Sequence, residues 1–387
     1  MKHALGAFLK QATTKVGIIT AITFQLLFSL IWMTGYAGVS DNTSQLKIAI
    51  VNEDQGLGSK IVQNLQGNLP FQTELVASNE QAQNLLNDRQ VQMVMHISAD
   101  FSKQLQTPGQ TVPITYTINE SNPSMTKSVM QAVAGNVTAS VNKEAVAAGA
   151  SAVLTQMNPK LPAEQAGQIA QGLANKVTSD IQSTNRVKDM PNQMLPMMLV
   201  LASIVGTMIM GMNFNVSTNI LGASVNKMGK MTARIVVTVI AVVVVGLISA
   251  TMVVSLGGHV EKGFLSLWAF ETLFLLTFAL VAQMFLTLFG NAGMLFNIAM
   301  LSLQLVSSGA IVPRELLSHF YHTISNAFPA TYAVNGLMNI LFGGPGVAKE
   351  VSFLFLIAAV ALVIDILVVS AKKAKAVPAM EQRTQTA

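Results

Sequence analysis

The sequence contains no cysteine and has few charged residues. Of its 387 residues, 11% are charged, whereas soluble proteins carry roughly 25%. The absence of cysteine excludes disulfides, thiol nucleophiles and cysteine-ligated metal sites. Hydrophobic residues make up 51% of the chain, and its mean hydropathy is +0.50. These figures indicate a membrane protein.

Motifs of nucleotide-binding and hydrolytic enzymes are also missing. The nearest string to a Walker A loop, residues 224–231, lacks both the first glycine and the terminal Ser or Thr. There is no Gly-X-Ser-X-Gly elbow, and no Ser/His/Asp set can be assembled in the apolar segments. His319 and His322 lack a third metal ligand, so we interpret them as ordinary interfacial histidines. We therefore expect no catalytic site, no metal site and no bound cofactor in this chain.

Six apolar segments are long enough to cross a bilayer as helices, which takes about 20 apolar residues. They are residues 16–36, 194–214, 234–256, 264–289, 292–312 and 351–370. The first of them follows a basic, amphipathic N-terminal segment, residues 1–15. It is longer than the apolar region of a signal peptide, so we expect an uncleaved anchor.

The region between the first and second spans, residues 38–190, has a different, polar composition. Its four β-type runs are residues 46–51, 71–76, 91–97 and 112–118. Helices fit between these runs at residues 57–69 and 79–87, and we predict an α/β head of about four strands over residues 45–120.

The pattern becomes helical after residue 123. Apolar residues recur every four positions from Met125 to Val141, which is typical of one face of a long helix. Pro159 and Pro162 separate this helix from a second one, predicted over residues 163–188. We interpret residues 123–190 as a two-helix stalk below the head.

Basic residues favour one side of the membrane. Ten Lys and Arg residues lie near the two termini and in or beside the loop 215–233. The opposite short loops hold Lys262, Arg314 and Lys349. Because Lys and Arg are enriched in cytoplasmic loops, both termini, with the tail 371–387, and the loop 215–233 are predicted to be cytoplasmic. Residues 38–190, with 10 basic and 12 acidic residues, are then extracytoplasmic.

Residues 313–342 are too short and too polar to form another span. Pro313 can open a short helix, because the first helical turn does not need its missing N–H. Pro329 ends that helix, and a second apolar run continues to Gly343-Gly344. We predict a re-entrant or interfacial helical hairpin between the fifth and sixth spans.

Several motifs in this part of the chain follow one another in a characteristic order. They are Ser308-Gly309, Pro313-Arg314-Glu315-Leu316-Leu317, Pro329-Ala330-Thr331-Tyr332-Ala333-Val334-Asn335-Gly336-Leu337 and Gly343-Gly344. Together they resemble the C-terminal signature of type-2 ABC exporter permeases, and more narrowly that of the YhgE/Pip branch. In the head, Val51-Asn52-Glu53-Asp54 and Ala99-Asp100-Phe101-Ser102 are similar to motifs of the same branch. The resemblance does not extend to the predicted stalk.

The resemblance implies an α-helical polytopic membrane protein of six transmembrane helices in a bacterial plasma membrane, with the α/β head and helical stalk inserted between helices 1 and 2. It also implies a permease subunit that moves a lipidic, polymeric or amphipathic substrate outward. Such permeases are dimers, so we expect a homodimer or a paralogous heterodimer in the bilayer. A separate ABC ATPase subunit would bind ATP and Mg²⁺. Nothing in the sequence suggests nucleic acid.

The ATPase is expected to dock on the N-terminal segment and the loop 215–233. The coupling candidates are Lys10, Lys15, Lys227, Lys230 and Arg234. The alternative is that these residues only set the topology and contact lipid headgroups. The residues expected to gate the outer end of the substrate path are Gly309, Pro313, Pro329, Thr331 and Tyr332.

Four polar residues inside the predicted spans are further candidates. They are Glu271, Asn297, Gln304 and Asp365. An ionisable group at the bilayer centre costs at least ~2.5–3.5 kcal/mol and is usually functional or paired. Proton coupling by the two carboxylates would favour a secondary transporter, but that needs a buried basic partner, and we expect none at depth. Asn297 and Gln304 share a stripe with Ser308; we favour helix–helix hydrogen bonding over a substrate path.

The alternative function is a surface receptor or secretion-apparatus scaffold without its own transport activity. The YhgE/Pip branch is similar to proteins implicated in phage adsorption and type VII secretion. A pure scaffold needs neither the hairpin at residues 313–342 nor a basic coupling loop. Because the chain has both, we favour the exporter.

Overall fold

The computed structural model describes residues 41–68, 71–107, 110–156, 176–221 and 225–372, together with residues 22, 30, 31, 34–36 and 39. Segment 1–15, most of the first predicted span and nearly all of the predicted tail lie outside the described residues. So do Lys10 and Lys15, the two coupling candidates of the N-terminal segment.

The head contains a five-stranded sheet. Its strands are β1 (Lys47–Asn52), β2 (Gln72–Leu75), β3 (Met93–Ile97), β4 (Val112–Asn119) and β5 (Val177–Thr184), in the order β2-β1-β3-β4-β5. β3 and β4 are antiparallel, and the other neighbours are parallel. The four β-type runs of the sequence form the first four strands. β1 and β3 are buried nearly throughout, as expected for strands with helices above them.

The fifth strand corrects the last part of the second predicted stalk helix; Pro159, Pro162 and residues 163–175 lie outside the described residues. Residues 177–184 pair with β4 along their whole length instead of continuing a helix. β5 lies at the edge of the sheet. Within it, Val177 is buried and the other residues are exposed or half-buried. A polar edge strand has no apolar alternation, so its sequence carried no clear β signal.

Helices pack on both faces of the sheet. They are α1 (Leu57–Asn68), α2 (Asn79–Asn87), α3 (Phe101–Gln106) and α4 (Ser124–Gln156). The long helix α4 forms as its four-residue spacing predicted, but its first part belongs to the head. Val133, Val137 and Val141 are at most 5% exposed and pack in the cluster that covers one face of the sheet. Tyr116 of β4 is tied to Thr138 of α4 by a 3.0 Å hydrogen bond.

Seven further helices form an apolar bundle. They are α5 (Met190–Ile220), α6 (Lys227–Ser255), α7 (Phe264–Phe289), α8 (Gly293–Ser307), α9 (His319–Ser325), α10 (Pro329–Phe342) and α11 (Ala348–Ala371). Among the described residues, four helical stretches are long and apolar enough to cross a membrane: Met190–Ile220, Lys227–Ser255, Phe264–Ser307 and Ala348–Ala371. The end of the bundle next to the head is called the head end below, and the opposite end is called the loop end.

The third stretch is a hairpin of two arms. Its 44 residues would make a helix of roughly 66 Å, twice the thickness of the hydrocarbon core. Gly290, with a φ of +62°, ends α7, and a single 3₁₀ turn leads into α8. The two arms pack against each other in antiparallel orientation, and the ring of Phe296 on α8 stacks on the rings of Phe285 and Phe289 on α7. α8 ends at Ser307, five residues before the predicted end of the fifth span.

The predicted hairpin at residues 313–342 is more irregular and more buried than expected. Pro313 precedes a 3₁₀ turn, Arg314–Leu316, and the α-helix begins only at His319. Pro329 is the first residue of α10, a position that needs no backbone N–H. Almost every residue of α10 is buried, because α5, α7, α8 and α11 surround it. α10 therefore lies inside the bundle at its head end, not on its surface.

Candidate functional site

A basic cavity of about 760 Å³ lies at the loop end of the bundle. Lys227, Lys230 and Arg234 line it, and these are the three coupling candidates within the described residues. They fall at helical spacing on the first turns of α6. Asn226 is the N-cap residue of this helix, and its side chain accepts a hydrogen bond from the N–H of Gly229. None of the described residues that line the cavity is acidic. The cavity therefore suits a partner or ligand with negative charge.

Lys372 connects the helices around this cavity. Its Nζ donates to the carbonyl of Thr287 on α7, and its own carbonyl accepts from Nζ of Lys227 on α6. Lys372 follows the last turn of α11. Three helices thus meet at the loop end through lysine side chains and main-chain carbonyls.

Arg234 forms a buried ion pair with Asp365. Its Nη2 lies 3.3 Å from Oδ2 of Asp365 and 3.2 Å from Oγ1 of Thr287. The two charged side chains are 9% and 1% exposed. The expectation that no basic partner lies at depth was therefore wrong. Because α6 begins at Lys227, seven residues before the apolar run, Arg234 lies two turns inside the helix.

Glu271 is isolated from this pair. It is 1% exposed, and among the described residues no group makes a hydrogen bond of normal geometry with either carboxyl oxygen, although the hydroxyl of Ser249 lies near them. Glu271 precedes Thr287 on α7 by 16 residues, roughly 24 Å along a helix. The structure therefore does not bring the two intramembrane carboxyl groups together.

Asn297 and Gln304 hold neighbouring helices together. Asn297 Nδ2 donates to the carbonyl of Ala282 on α7 (3.2 Å), and Gln304 Oε1 accepts from the N–H of Ala330 on α10 (3.2 Å). The cavity beside them measures about 20 Å³, enough for one water molecule. In this conformation the stripe joins helices and leaves no room for a substrate.

The gate candidates gather around the turn between α9 and α10. Arg314 donates to Ser325 Oγ (2.9 Å) and to Asn326 Oδ1 (2.6 Å). Thr331 Oγ1 and Tyr332 Oη donate to the carbonyls of Ser325 and Asn326. Pro329 begins the helix that carries both. The turn is thus held by four side-chain hydrogen bonds.

A ring contact attaches this turn to α11, and a glycine allows the close approach of Arg314. The ring of Tyr332 stacks on Phe353 of α11 at 4.6 Å between centroids. Gly309, with a φ of +83°, turns the chain after α8, and a Cβ there would lie 3.0 Å from Arg314 Cγ. Pro313 and Arg314 also line a second cavity, at the head end.

That second cavity measures about 270 Å³ and lies between the head and the bundle. Arg89 reaches it from the end of α2, Asn339 from α10 and Glu350 from α11. Burial lowers the pKa of Arg89 to about 10, and the charge of Glu350 opposes this effect. Sequence reasoning did not identify this cavity, because its residues come from distant segments; the glycine pair Gly343-Gly344 beside it was the one available signal.

The two head motifs of the sequence meet in space at the start of α1. Asp54 accepts hydrogen bonds from the N–H groups of Gly56 and Gly58, and from both the N–H and the hydroxyl of Ser102. Burial alone would raise the pKa of Asp54, but the hydrogen bonds from Ser102, Gly58 and Gly56 hold it below its usual value. Every oxygen is thus occupied within the fold, which indicates a structural role for both motifs.

Comparison with known proteins places the chain in context. Residues 15–368 match the family model described as ABC-2 family transporter protein. The chain is similar to an uncharacterized protein of Bacillus subtilis (strain 168), YhgE, with 33% identity over 101 residues. This match covers 25% of the chain and 12% of that relative, so the chain spans only about one eighth of the relative's length. No solved structure gives a significant match.

Proposed function

Because the chain belongs to the ABC-2 family of transporter proteins, we propose that it is the membrane permease subunit of an ATP-driven exporter. The observation that carries this proposal beyond the family is the basic cavity at the loop end, which three coupling candidates line. A separate ATPase subunit would bind ATP and Mg²⁺ and dock there. The substrate would be a lipidic, polymeric or amphipathic molecule moved outward. Two copies, or this chain and a paralogue, would form the membrane unit.

The proposed topology has six membrane helices. They are residues 16–36 with α5, α6, α7, α8 and α11. The loop end would face the cytoplasm, since Lys227, Lys230 and Lys372 cluster there. The head, residues 38–190, would then be extracytoplasmic. The break at Gly290 supports two short arms, α7 and α8, in place of one overlong helix.

α11 offers a mechanical link between the two ends. Near its loop end, Asp365 holds Arg234 of α6, directly beyond the proposed docking loop. Near its head end, Phe353 stacks on Tyr332 of the buried hairpin. In the proposed cycle, closure of the ATPase subunits pushes residues 215–233, which include the end of α5 and the first two turns of α6. α6 moves with α11, and the hairpin moves at the outer end of the substrate path.

The first experiment is purification of the detergent-solubilised chain from its native cells, with detection of a co-purifying ATPase. We expect a Walker-type subunit whose turnover changes when the permease is present. The double variant Lys227→Glu/Lys230→Glu should remain inserted in the membrane but lose this coupling. The matched control is Lys47→Glu/Lys60→Glu, which makes the same charge change on exposed residues of the head. Normal coupling in the loop variant would refute the docking surface.

A surface receptor or secretion scaffold is the second candidate function. The observation in its favour is the exposed edge of the head sheet at β5, where residues 178–182 are all exposed. An open strand edge can pair with a strand of another protein. Recovery of the chain with envelope proteins and without any ATPase would favour this function over export.

A further inference from the structure

Five buried polar atoms of the described residues lack a hydrogen-bond partner and belong to side chains of the head-end cavity. Several buried side-chain atoms of the described residues make no hydrogen bond. Five of them belong to residues that line this cavity: Arg89 Nη2, Asn122 Nδ2, Thr126 Oγ1, Asn339 Oδ1 and Glu350 Oε2. Folded proteins pair the large majority of their buried polar atoms. A group of unpaired atoms around one cavity therefore points to a ligand that pairs with them.

The backbone around the cavity is arranged to bring these groups close together. Arg89 has a φ of +57°, which is uncommon for a residue other than glycine. Its Nε donates to Ser121 Oγ at 3.2 Å, and Nη2 is left without a partner. Gly344 has a φ of +139°, and a Cβ there would lie 2.9 Å from Asn339 Oδ1 and 3.5 Å from Arg89 Nη2. A side chain at this position would crowd both groups.

The unpaired atoms of the lining residues include both hydrogen-bond donors and acceptors, and this limits which ligand could pair with all of them. Arg89 and Asn122 offer unpaired N–H donors, whereas Asn339 and Glu350 offer unpaired oxygen acceptors. A phosphate has mainly acceptors, so it would face two unpaired oxygens. An ammonium group has only donors, so it would leave both N–H groups unpaired. A hydroxyl group donates and accepts at once, and so satisfies either kind of partner.

The charge and size of the cavity agree with a neutral ligand. Its charged lining residues balance: Arg89, Arg314 and Lys349 against Asp88, Glu315 and Glu350. Arg314 already donates to Ser325 through Nε and to Asn326 through Nη2, so two of the three guanidinium nitrogens are engaged within the fold. The volume of about 270 Å³ corresponds to roughly nine water molecules at about 30 Å³ each, which is room for one sugar ring.

We propose that this cavity binds a neutral polyhydroxyl group, such as a single sugar ring or a glycerol unit. Arg89 and Asn122 would donate to its oxygens, and Asn339 and Glu350 would accept from its hydroxyl groups. Thr126 contributes a hydroxyl of its own. The proposal concerns this chain alone, so it can be tested without the ATPase and does not depend on transport.

The test is direct binding to the full chain in detergent, followed by saturation-transfer NMR. The probes are glucose and glycerol, with inorganic phosphate and ethanolamine at the same concentrations. We expect the polyhydroxyl probes to bind and the two ions not to bind. Glu350→Gln should weaken sugar binding about tenfold, as expected for a lost hydrogen bond to a charged group. The matched control, Glu80→Gln, alters an exposed residue of α2 and should change nothing.

A second variant separates binding from folding. Thr126→Val keeps the shape of the side chain but removes its hydroxyl, so it should retain the thermal unfolding temperature and weaken sugar binding roughly threefold to tenfold. The proposal is overturned if phosphate or ethanolamine binds in place of the sugar. It is also overturned if no probe binds, which would leave only water in the cavity, or if both variants bind sugar as the wild type does.

Discussion

Removing one charge of the Arg234–Asp365 pair should destabilise the bundle more than removing both. The charged atoms are 3.3 Å apart, and the side chains are 9% and 1% exposed. At an effective dielectric constant of about 20, two unit charges at this distance attract by roughly 5 kcal/mol. Deleting one partner leaves the other buried and uncompensated, which costs about 3–5 kcal/mol. Replacing both by apolar residues is often neutral or stabilising.

The measurement is a double-mutant cycle with Arg234→Met, Asp365→Leu and the combined variant. Unfolding of the full chain in mixed detergent micelles gives the free energy of each protein. We expect both single variants to lose stability and the double variant to recover most of it, with a coupling energy of about 2 kcal/mol or more. Additive effects of the single variants would refute the reasoning, because the two charges would then not depend on each other.

The exposed contact between His259 and Glu261, which is an ion pair only when the imidazole is protonated, provides the control. His259 and Glu261 approach to the same 3.3 Å, but their side chains are 44% and 56% exposed. Water screens such pairs, and their measured coupling is typically below about 1 kcal/mol. The same cycle on this pair should therefore give a small value.

Three further predictions concern single positions. Gly336→Ala should lower the unfolding temperature by overpacking that costs about 1–3 kcal/mol, since the new methyl group would lie 2.1 Å from the ring of Phe270; Gly211→Ala, which makes only ordinary contacts, is its control. Glu271→Gln should keep or raise stability in detergent, because neither oxygen of the buried carboxyl makes a hydrogen bond of normal geometry with a described residue; a loss would show that the carboxyl is needed. Asp54→Ala should increase hydrogen exchange in α1 near neutral pH but not in strong acid. Hydrogen bonds outweigh burial and lower the pKa of this group, so its stabilisation is present above roughly pH 4 and is lost as the pH falls through the folded value.

The apolar runs after residue 190 all form helices of the bundle, because a chain in a membrane must satisfy its backbone hydrogen bonds internally. They could not predict where each helix begins. Residues 227–233 are polar enough to look like a loop, yet they form the first two turns of α6. This error moved Arg234 from the interior of the bundle to its surface and concealed its pairing with Asp365. An apolar run shows which part of a helix is covered by lipid or by the protein core. It does not show at which residue the helix begins.

The head shows the same limit in its sheet. The Val, Met and Ile residues of a buried strand such as β3 indicate a strand in the sequence, and all four apolar runs form strands. β5 has one buried side chain, so it is a strand because it pairs with β4. The local sequence of a strand does not show which other strand it pairs with. The head-end cavity was unpredictable for a similar reason. Arg89, Asn122, Asn339 and Glu350 come from four segments, and each alone reads as an ordinary surface residue.

The helix α11 carries residues of both proposed sites. Asp365, near its loop end, belongs to the buried ion pair, whereas Glu350, in its first turn, lines the head-end cavity. The 15 residues between them span roughly 22 Å of uninterrupted helix. If α11 moves as one rod, a ligand that binds Glu350 more tightly in one position of the helix also favours that position at Arg234. Linkage then requires the reverse, so the proposed docking of an ATPase would change the affinity of the head-end cavity for its ligand by the same factor. Equal sugar affinity with and without the docked ATPase would show that the two sites are independent, even if each proposal holds separately.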